Sequence, residues 1–194
     1  RITERIQARS VWRDPKGNLL ADFGQNLTGL VEVRIKGKKG QKIRIRHAEV
    51  LDKDGVFYPD TLRTAISHDT YILNGEEQVL MPHFTFHGFR YIAIDGIEAT
   101  DAVPNMFTAC AMHSDMEKIG SFHCSNELVH QLQSNISWGL RDNFFDIPTD
   151  CPQRDERLGW MGDAQVFSWT AAFNRNTARF FTKWMRDISA ESSL

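Results

Sequence analysis

Between Asp150 and Asp163 the stretch DCPQRDERLGWMGD gathers four carboxylates, two guanidiniums, an indole and two glycines. Nothing else in the sequence is as dense in groups that move protons or grip hydroxyls. Carboxylates and arginines hydrogen-bond hydroxyls, and an indole offers an apolar face to C–H groups. The mixture suits a sugar. Cleaving a glycoside takes one carboxylic acid to protonate the departing oxygen and a second carboxylate to activate water or attack. A carboxylate packed near Trp160 and other carboxylates is expected to have a raised pKa, the state a general acid requires.

The same residues admit plainer readings. Arg154 and Arg157 can pair with Asp155 and Glu156 as a surface salt-bridge patch, an arrangement that fits the spacing equally well. A calcium loop is disfavoured, because two arginines stand where such a loop alternates acidic ligands around a turn glycine. Cys151 has no histidine near it in sequence to activate a thiol, and reads as a small packing residue. Pro148 and Pro152 exclude a continuous helix, and Gly159 and Gly162 are expected to add turns. The motif is therefore placed on a shaped loop between two helices.

The elements that must position this loop change character along the chain. From Leu19 to about His113 the hydrophobic period is two. In LVEVRIKGKKGQKIRIRHAEV, Val31, Val33 and Ile35 alternate with Glu32, Arg34 and Lys36, then Ile43 and Ile45 alternate with basic residues. That predicts a β-hairpin turning at GKKG. HDTYILNGEE, HFTFHGFRYIAIDG and DAVPNMFTACAMHSDM continue the strands, with Gly88 expected at a bulge or close approach. The run argues for an antiparallel sandwich. His83 and His87, four apart on one expected strand, read as core or hydrogen-bonded histidines rather than zinc ligands. After about Phe122 the period becomes helical. Ser125 is the expected cap of a helix with Leu128, Leu132, Ile136 and Leu140 on one face. Asp163 is expected to cap a second helix bearing Val166, Phe167, Ala171 and Phe173. Asn176 is expected to cap a third, bearing Phe181, Trp184, Met185 and Ile188.

Composition narrows the function classes. The chain is 41% hydrophobic and 25% charged with a net charge of -2, so no global field selects nucleic acid or an anionic membrane. The seven basic residues from Arg34 to Arg46 read as a solvated sheet face that discourages edge-to-edge pairing. No apolar run is long enough to span a bilayer. RITERIQARSVW lacks a signal peptide's apolar segment and an initiator methionine, so a piece of a longer chain is expected. Cys110, Cys124 and Cys151 give neither a disulfide framework nor a zinc signature, which favours a reducing, cytoplasmic compartment. Asn26 and Asn135 begin sequons by pattern only.

FFDIPTDCPQRDERLGWMGDAQ resembles the catalytic-loop motif of the bacterial α-L-rhamnosidases, a family of inverting glycoside hydrolases. AEVLDKDGVFYPDTLRTA and FTFHGFRYIAIDG resemble the β-sandwich region that precedes that family's catalytic domain. The resemblance implies a multidomain β plus α chain: an antiparallel β-sandwich over 1–113, a linker over 114–124, and the first helices of an (α/α)6 barrel over 125–194. It implies Glu156 as general acid, and Asp150, Arg154, Trp160 and Asp163 as residues that hold a rhamnose ring. The water-activating base is implied to be a glutamate far downstream, so a segment ending at Leu194 is expected to show no turnover alone. Neither a metal nor an organic cofactor is implied. The implied partner is a rhamnose-containing glycoside or oligosaccharide, with no nucleic acid or membrane, and an oligomer is compatible. Met161 stands where a small polar residue such as threonine is expected, which bears on substrate preference. Two other classes stay open. One is a sugar-binding relative without activity, against which the intact Glu156 argues. The other is an α/α-barrel hydrolase acting on a different sugar.

Overall fold

The computed structural model describes residues 1–193, which divide into two compact units. One comprises Ile2–Met112 together with Gln153–Asp155. The other comprises Arg1, His113–Pro152 and the chain from Glu156 onward.

The first unit is built on β1 (Ile2–Gln7), β2 (Ser10–Arg13), β3 (Leu19–Lys36), β4 (Lys42–Ala48), β5 (Val50–Leu51), β6 (Phe57–Tyr58), β7 (His68–Ile72), β8 (Glu77–Leu80), β9 (His87–Asp95) and β10 (Phe107–Met112). Eight strands form one antiparallel sheet in the order β1-β10-β3-β9-β4-β7, with β2 and β8 also paired to β3. The organising element is β3, 18 residues long, against a usual strand of about 5–6. Its register with β9 breaks between Asp22 and Leu27, where Gly24 sits at φ +73°. A bulge of this kind bends a strand and increases its twist without ending it. So where two packed sheets were expected, one curled sheet shares β3 among four partners.

The alternation is as expected: Val31, Val33, Ile35, Ile43 and Ile45 are buried, while Arg34 and Lys36 are exposed. The pairing is not. β3 and β4 do not form a hairpin, because β9 lies between them and pairs with both. Alternation fixes which face a strand buries but says nothing about its neighbour, and the GKKGQ connection is long enough to step across one strand. Phe23, Phe89, Phe107, Leu20, Leu27 and Ile92 are fully buried, each side chain worth roughly 1.5–3 kcal/mol of transfer free energy.

His83 lies ahead of β9 and is exposed, so it does not share a strand face with His87. The neighbour of His87 is His47 on β4, its ring stacked 4.0 Å away at 16°. Asp69 Oδ2 sits 3.2 Å from His87 Nε2 and 3.8 Å from His47 Nε2. His47, Asp69 and His87 thus each place a ligand-type atom within 4.8 Å of the others. Complete burial, and then the adjacent His87, hold the His47 imidazole well below its usual pKa.

The second unit contains α1 (Glu127–Asn143), β11 (Phe144–Phe145), β12 (Ile147–Cys151), β13 (Glu156–Gly159), α2 (Met161–Asn174) and α3 (Ala178–Glu191). Its core is Met116, Leu140, Phe144, Ala171 and Phe180, with Phe167 and Phe181 packed against it. All three helix caps differ from expectation. Asn126, not Ser125, caps α1, its Oδ1 accepting from the N–H groups of Leu128 and Val129 at 3.0 and 3.3 Å. Helix α2 begins at Met161 after an extended Trp160, so Gly162 makes no turn and Asp163 lies in the first helical turn, where a carboxylate favours the positive helix end. Helix α3 has Thr177 at its N-cap, while Asn176 Oδ1 accepts from Ala178 N at 3.5 Å. Only parts of the apolar stripes are covered. Leu140, Ala171 and Trp184 are buried, whereas Leu128, Leu132, Val166, Phe173 and Met185 are exposed. Trp184, expected on the apolar stripe of the third helix, is buried and packs on Gly159, where an added Cβ would run into its ring. Among the described residues no helix is long and apolar enough to cross a membrane.

Because His47 resists protonation when folded, the unfolded chain binds a proton first as pH falls below about 6.5. The stability this neutral ring contributes is fully present above that pH and is lost below it. Melting temperatures between pH 7.5 and 5 should fall more steeply for the wild type than for His47→Gln. Parallel slopes would show that His47 does not titrate this way.

Candidate active site

The motif expected on a loop forms a small antiparallel sheet, β11-β12-β13, with Pro148 on its middle strand. Pro148 stands opposite Phe144, Thr149 opposite Gly159, and Cys151 opposite Glu156. The chain enters β12 through Asp146 at φ +67°. This turn is held by Ser114 Oγ, which accepts from Asp146 N at 2.9 Å, and by Lys183, whose Nζ donates to Asp146 Oδ2 at 2.9 Å. Thr149 Oγ1 donates to the carbonyl of Asn143 at 2.7 Å and ties β12 to the end of α1.

The β12–β13 register shifts between Thr149 and Cys151. Two residues on β12 span three on β13, and such a bulge re-aims side chains. The outcome is a cluster in which Asp150, Cys151 and Glu156 each place a ligand-type atom within 4.8 Å of the others. Asp150 Oδ1 also accepts from Leu158 N at 3.4 Å, so β13 steadies the carboxylate next to Glu156. Glu156 and Asp150 are half-buried.

Asp150 and Asp163 both line a cavity of about 670 Å³, together with Asn143, Phe144, Thr149 and Phe167. Neither Glu156 nor Trp160 lines it; Trp160 is nearly half exposed. Arg154 belongs to the sheet unit, within the Gln153–Asp155 turn. In that turn Asp155 accepts a hydrogen bond from Thr64 Oγ1. That bond, the residue's own N–H, and the positive charges of Arg63 and Arg154 hold the Asp155 carboxyl below its usual pKa. Burial lowers the Arg157 guanidinium, which stays cationic. Sequence reasoning singled out neither Asn143 nor Thr149. Their only signal was position, immediately before and within FFDIPTD.

A half-buried pair of carboxylates beside an open cavity can donate a proton to a bound oxygen and accept hydrogen bonds from hydroxyls. Comparison with known proteins gives the family. Residues 117–193 match the bacterial alpha-L-rhamnosidase 6 hairpin glycosidase domain, and residues 13–113 match the bacterial alpha-L-rhamnosidase concanavalin-like domain. An alpha-L-rhamnosidase of Formosa agariphila is 48% identical over 169 residues, 86% of this chain and 18% of that protein. The crystal structure of the Aspergillus terreus enzyme superposes with a TM-score of 0.92 at 47% identity, covering 96% of this chain and 22% of the other. That of the Streptomyces avermitilis alpha-L-rhamnosidase complexed with L-rhamnose gives 0.94 at 43% identity, covering 98% and 18%. The chain thus spans about a fifth of the length of these relatives. With one domain model matched over more than half of its residues, the chain belongs to the bacterial α-L-rhamnosidase family.

Proposed function

We propose that this chain supplies the acid half of a glycoside hydrolase that cleaves terminal α-L-rhamnosides with inversion. The observation that carries the reading is the bulged β12–β13 register, which gathers Glu156 and Asp150. In this reading residues 1–113 are the sandwich-type domain, 114–124 the linker and 125–194 the opening of an (α/α)6 barrel.

Glu156 protonates the glycosidic oxygen as its bond to the anomeric carbon breaks. Water attacks the opposite face of the ring and gives its proton to a base. Asp150 is not that base. Its carboxylate lies within 4.8 Å of Glu156, whereas an inverting pair stands ~6.5–9.5 Å apart to admit the water. Asp150 instead accepts from ring hydroxyls, with Arg154, Trp160 and Asp163 as further sugar contacts, and the base is a glutamate beyond Leu194. The chemistry calls on no metal or organic cofactor. Support for rhamnose as the sugar comes from the relatives' names and from the Streptomyces avermitilis structure complexed with L-rhamnose.

In the full-length protein, Glu156→Gln should lower turnover of alkyl and oligosaccharide rhamnosides about 10²–10⁴-fold, the usual worth of a positioned acid. A nitrophenyl rhamnoside, whose leaving group needs little protonation, should suffer far less, and L-rhamnose should still bind. Unchanged rates on both substrates would remove Glu156 from the role. Arg154→Ala and Asp163→Ala should each weaken L-rhamnose binding by roughly 1.5–3 kcal/mol, the cost of one charged hydrogen-bond partner. Wild-type affinity for both in calorimetry would place the sugar elsewhere.

A further inference from the structure

Inside the sheet unit two buried acceptors face each other at 3.8 Å: His47 Nε2 on β4 and Asp69 Oδ2 on β7. Neither atom has a hydrogen-bond partner, and His47 is only 1% exposed. The other ring nitrogen of His47, Nδ1, lies 3.2 Å from the carbonyl oxygen of Ser67, which can only accept. In the neutral imidazole Nδ1 therefore carries the proton, and Nε2 presents a bare lone pair to the carboxylate. Two acceptors stripped of water and left unpaired cost free energy on both sides. A cation between them removes that cost.

A third donor atom completes the set. His87 Nε2, on β9, lies 3.2 Å from the same Asp69 Oδ2, and the three atoms fall within 4.8 Å of one another. Two zinc bonds of about 2.0–2.1 Å meeting at a tetrahedral angle set their ligand atoms roughly 3.3–3.5 Å apart. The observed 3.2 and 3.8 Å bracket that spacing. The three strands are neighbours in the order β9-β4-β7, so the sheet holds the ligand backbones in advance. Ser67 orients both rings, its carbonyl at His47 Nδ1 and its Oγ 3.2 Å from His87 Nδ1. A hydroxyl accepts as well as donates, so it can take the hydrogen bond from Nδ1–H that a His87 ligating through Nε2 must make. The rings stack at 16°, so seating an ion turns them out of parallel about χ2, a torsion with broad minima.

We infer that His47, Asp69 and His87 form a binding site for a divalent cation of the zinc type, which ties β4, β7 and β9 together. Two imidazoles and a carboxylate are a donor set that zinc accepts, with a water completing the tetrahedron. Two nitrogen ligands favour a first-row transition ion over calcium or magnesium, which take oxygen. The three ligands lie wholly within the sheet unit. The ion acts on folding and takes no step in the proposed hydrolysis: a cation bound by the folded chain alone stabilises it by mass action.

The test strips the full-length protein with EDTA and titrates it with zinc chloride in a calorimeter, beside His47→Gln, Asp69→Asn, Ser67→Ala and, as a control, His83→Gln. The wild type should bind one equivalent more than His47→Gln or Asp69→Asn, and zinc should raise its melting temperature but not theirs. Ser67→Ala keeps the carbonyl and loses only the hydroxyl, so it should retain the equivalent with an affinity about 10–100-fold weaker. His83 is exposed and outside the cluster, so His83→Gln should match the wild type. Magnesium chloride should leave every melting temperature where it was. Asp69→Asn preserves the side chain's shape and Ser67→Ala leaves all three ligands in place, so the test stands even where His47→Gln unsettles the core. A stripped wild type that gains no stability from zinc would overturn the inference. So would Asp69→Asn or His47→Gln binding as many equivalents as the wild type at the same affinity.

Discussion

A two-stranded hairpin of a few residues has too few ladder hydrogen bonds to hold itself in water, yet the one from Ile147 to Gly159 carries Asp150 and Glu156, the carboxylates of the proposed reaction. Its geometry is imposed from outside. The hydroxyl of Thr149 is bonded to the last carbonyl region of α1, Gly159 lies flat against the Trp184 ring, and Phe144 anchors the adjoining strand in the aromatic core. With its edges fixed, the bulge between Thr149 and Cys151 has one place to go, and Asp150 and Glu156 end as neighbours.

In the sheet unit a single 18-residue strand carries partners along both edges, so β9 is central, flanked by β3 and β4. Gly88 lies on that central strand. The buried His47–His87 stack with Asp69 belongs to the same layer. A neutral His47 there makes the layer sensitive to acid without any part in the chemistry.

Much of this was legible in the sequence, and the misses have physical causes. Side-chain alternation identified the buried faces of β3 and β4, but a face does not name its neighbour, so the intervening β9 was missed. Helical periodicity located α1, α2 and α3, while two caps slipped by one residue, because Ser125 and Asn126, or Asn176 and Thr177, are chemically interchangeable as caps, and the α2 cap slipped by three, from Asp163 to Trp160, because the helix starts ahead of the carboxylate. Gly88 was singled out as a point of close approach; that Gln153 approaches it depends on a contact 65 positions away along the chain, which no local pattern encodes. The motif was read as a loop because prolines and glycines dominate short-range signals, whereas its strand character comes from pairing. The carboxylates, arginines and indole of the motif stood out by residue type. The bulge that brings Asp150 beside Glu156 was not.

The closeness of those two carboxylates makes one measurement decisive. A pair within 4.8 Å is nearer to the ~5–5.5 Å of a retaining enzyme than to the spacing that admits a water, so the role given to Asp150 can be read directly from the product. Proton NMR of the full-length protein hydrolysing an α-L-rhamnoside, followed before mutarotation, reports the anomer released first. The account predicts β-L-rhamnose, formed by water attacking opposite the bond that Glu156 protonates. Initial release of α-L-rhamnose would contradict it and would make Asp150 a nucleophile.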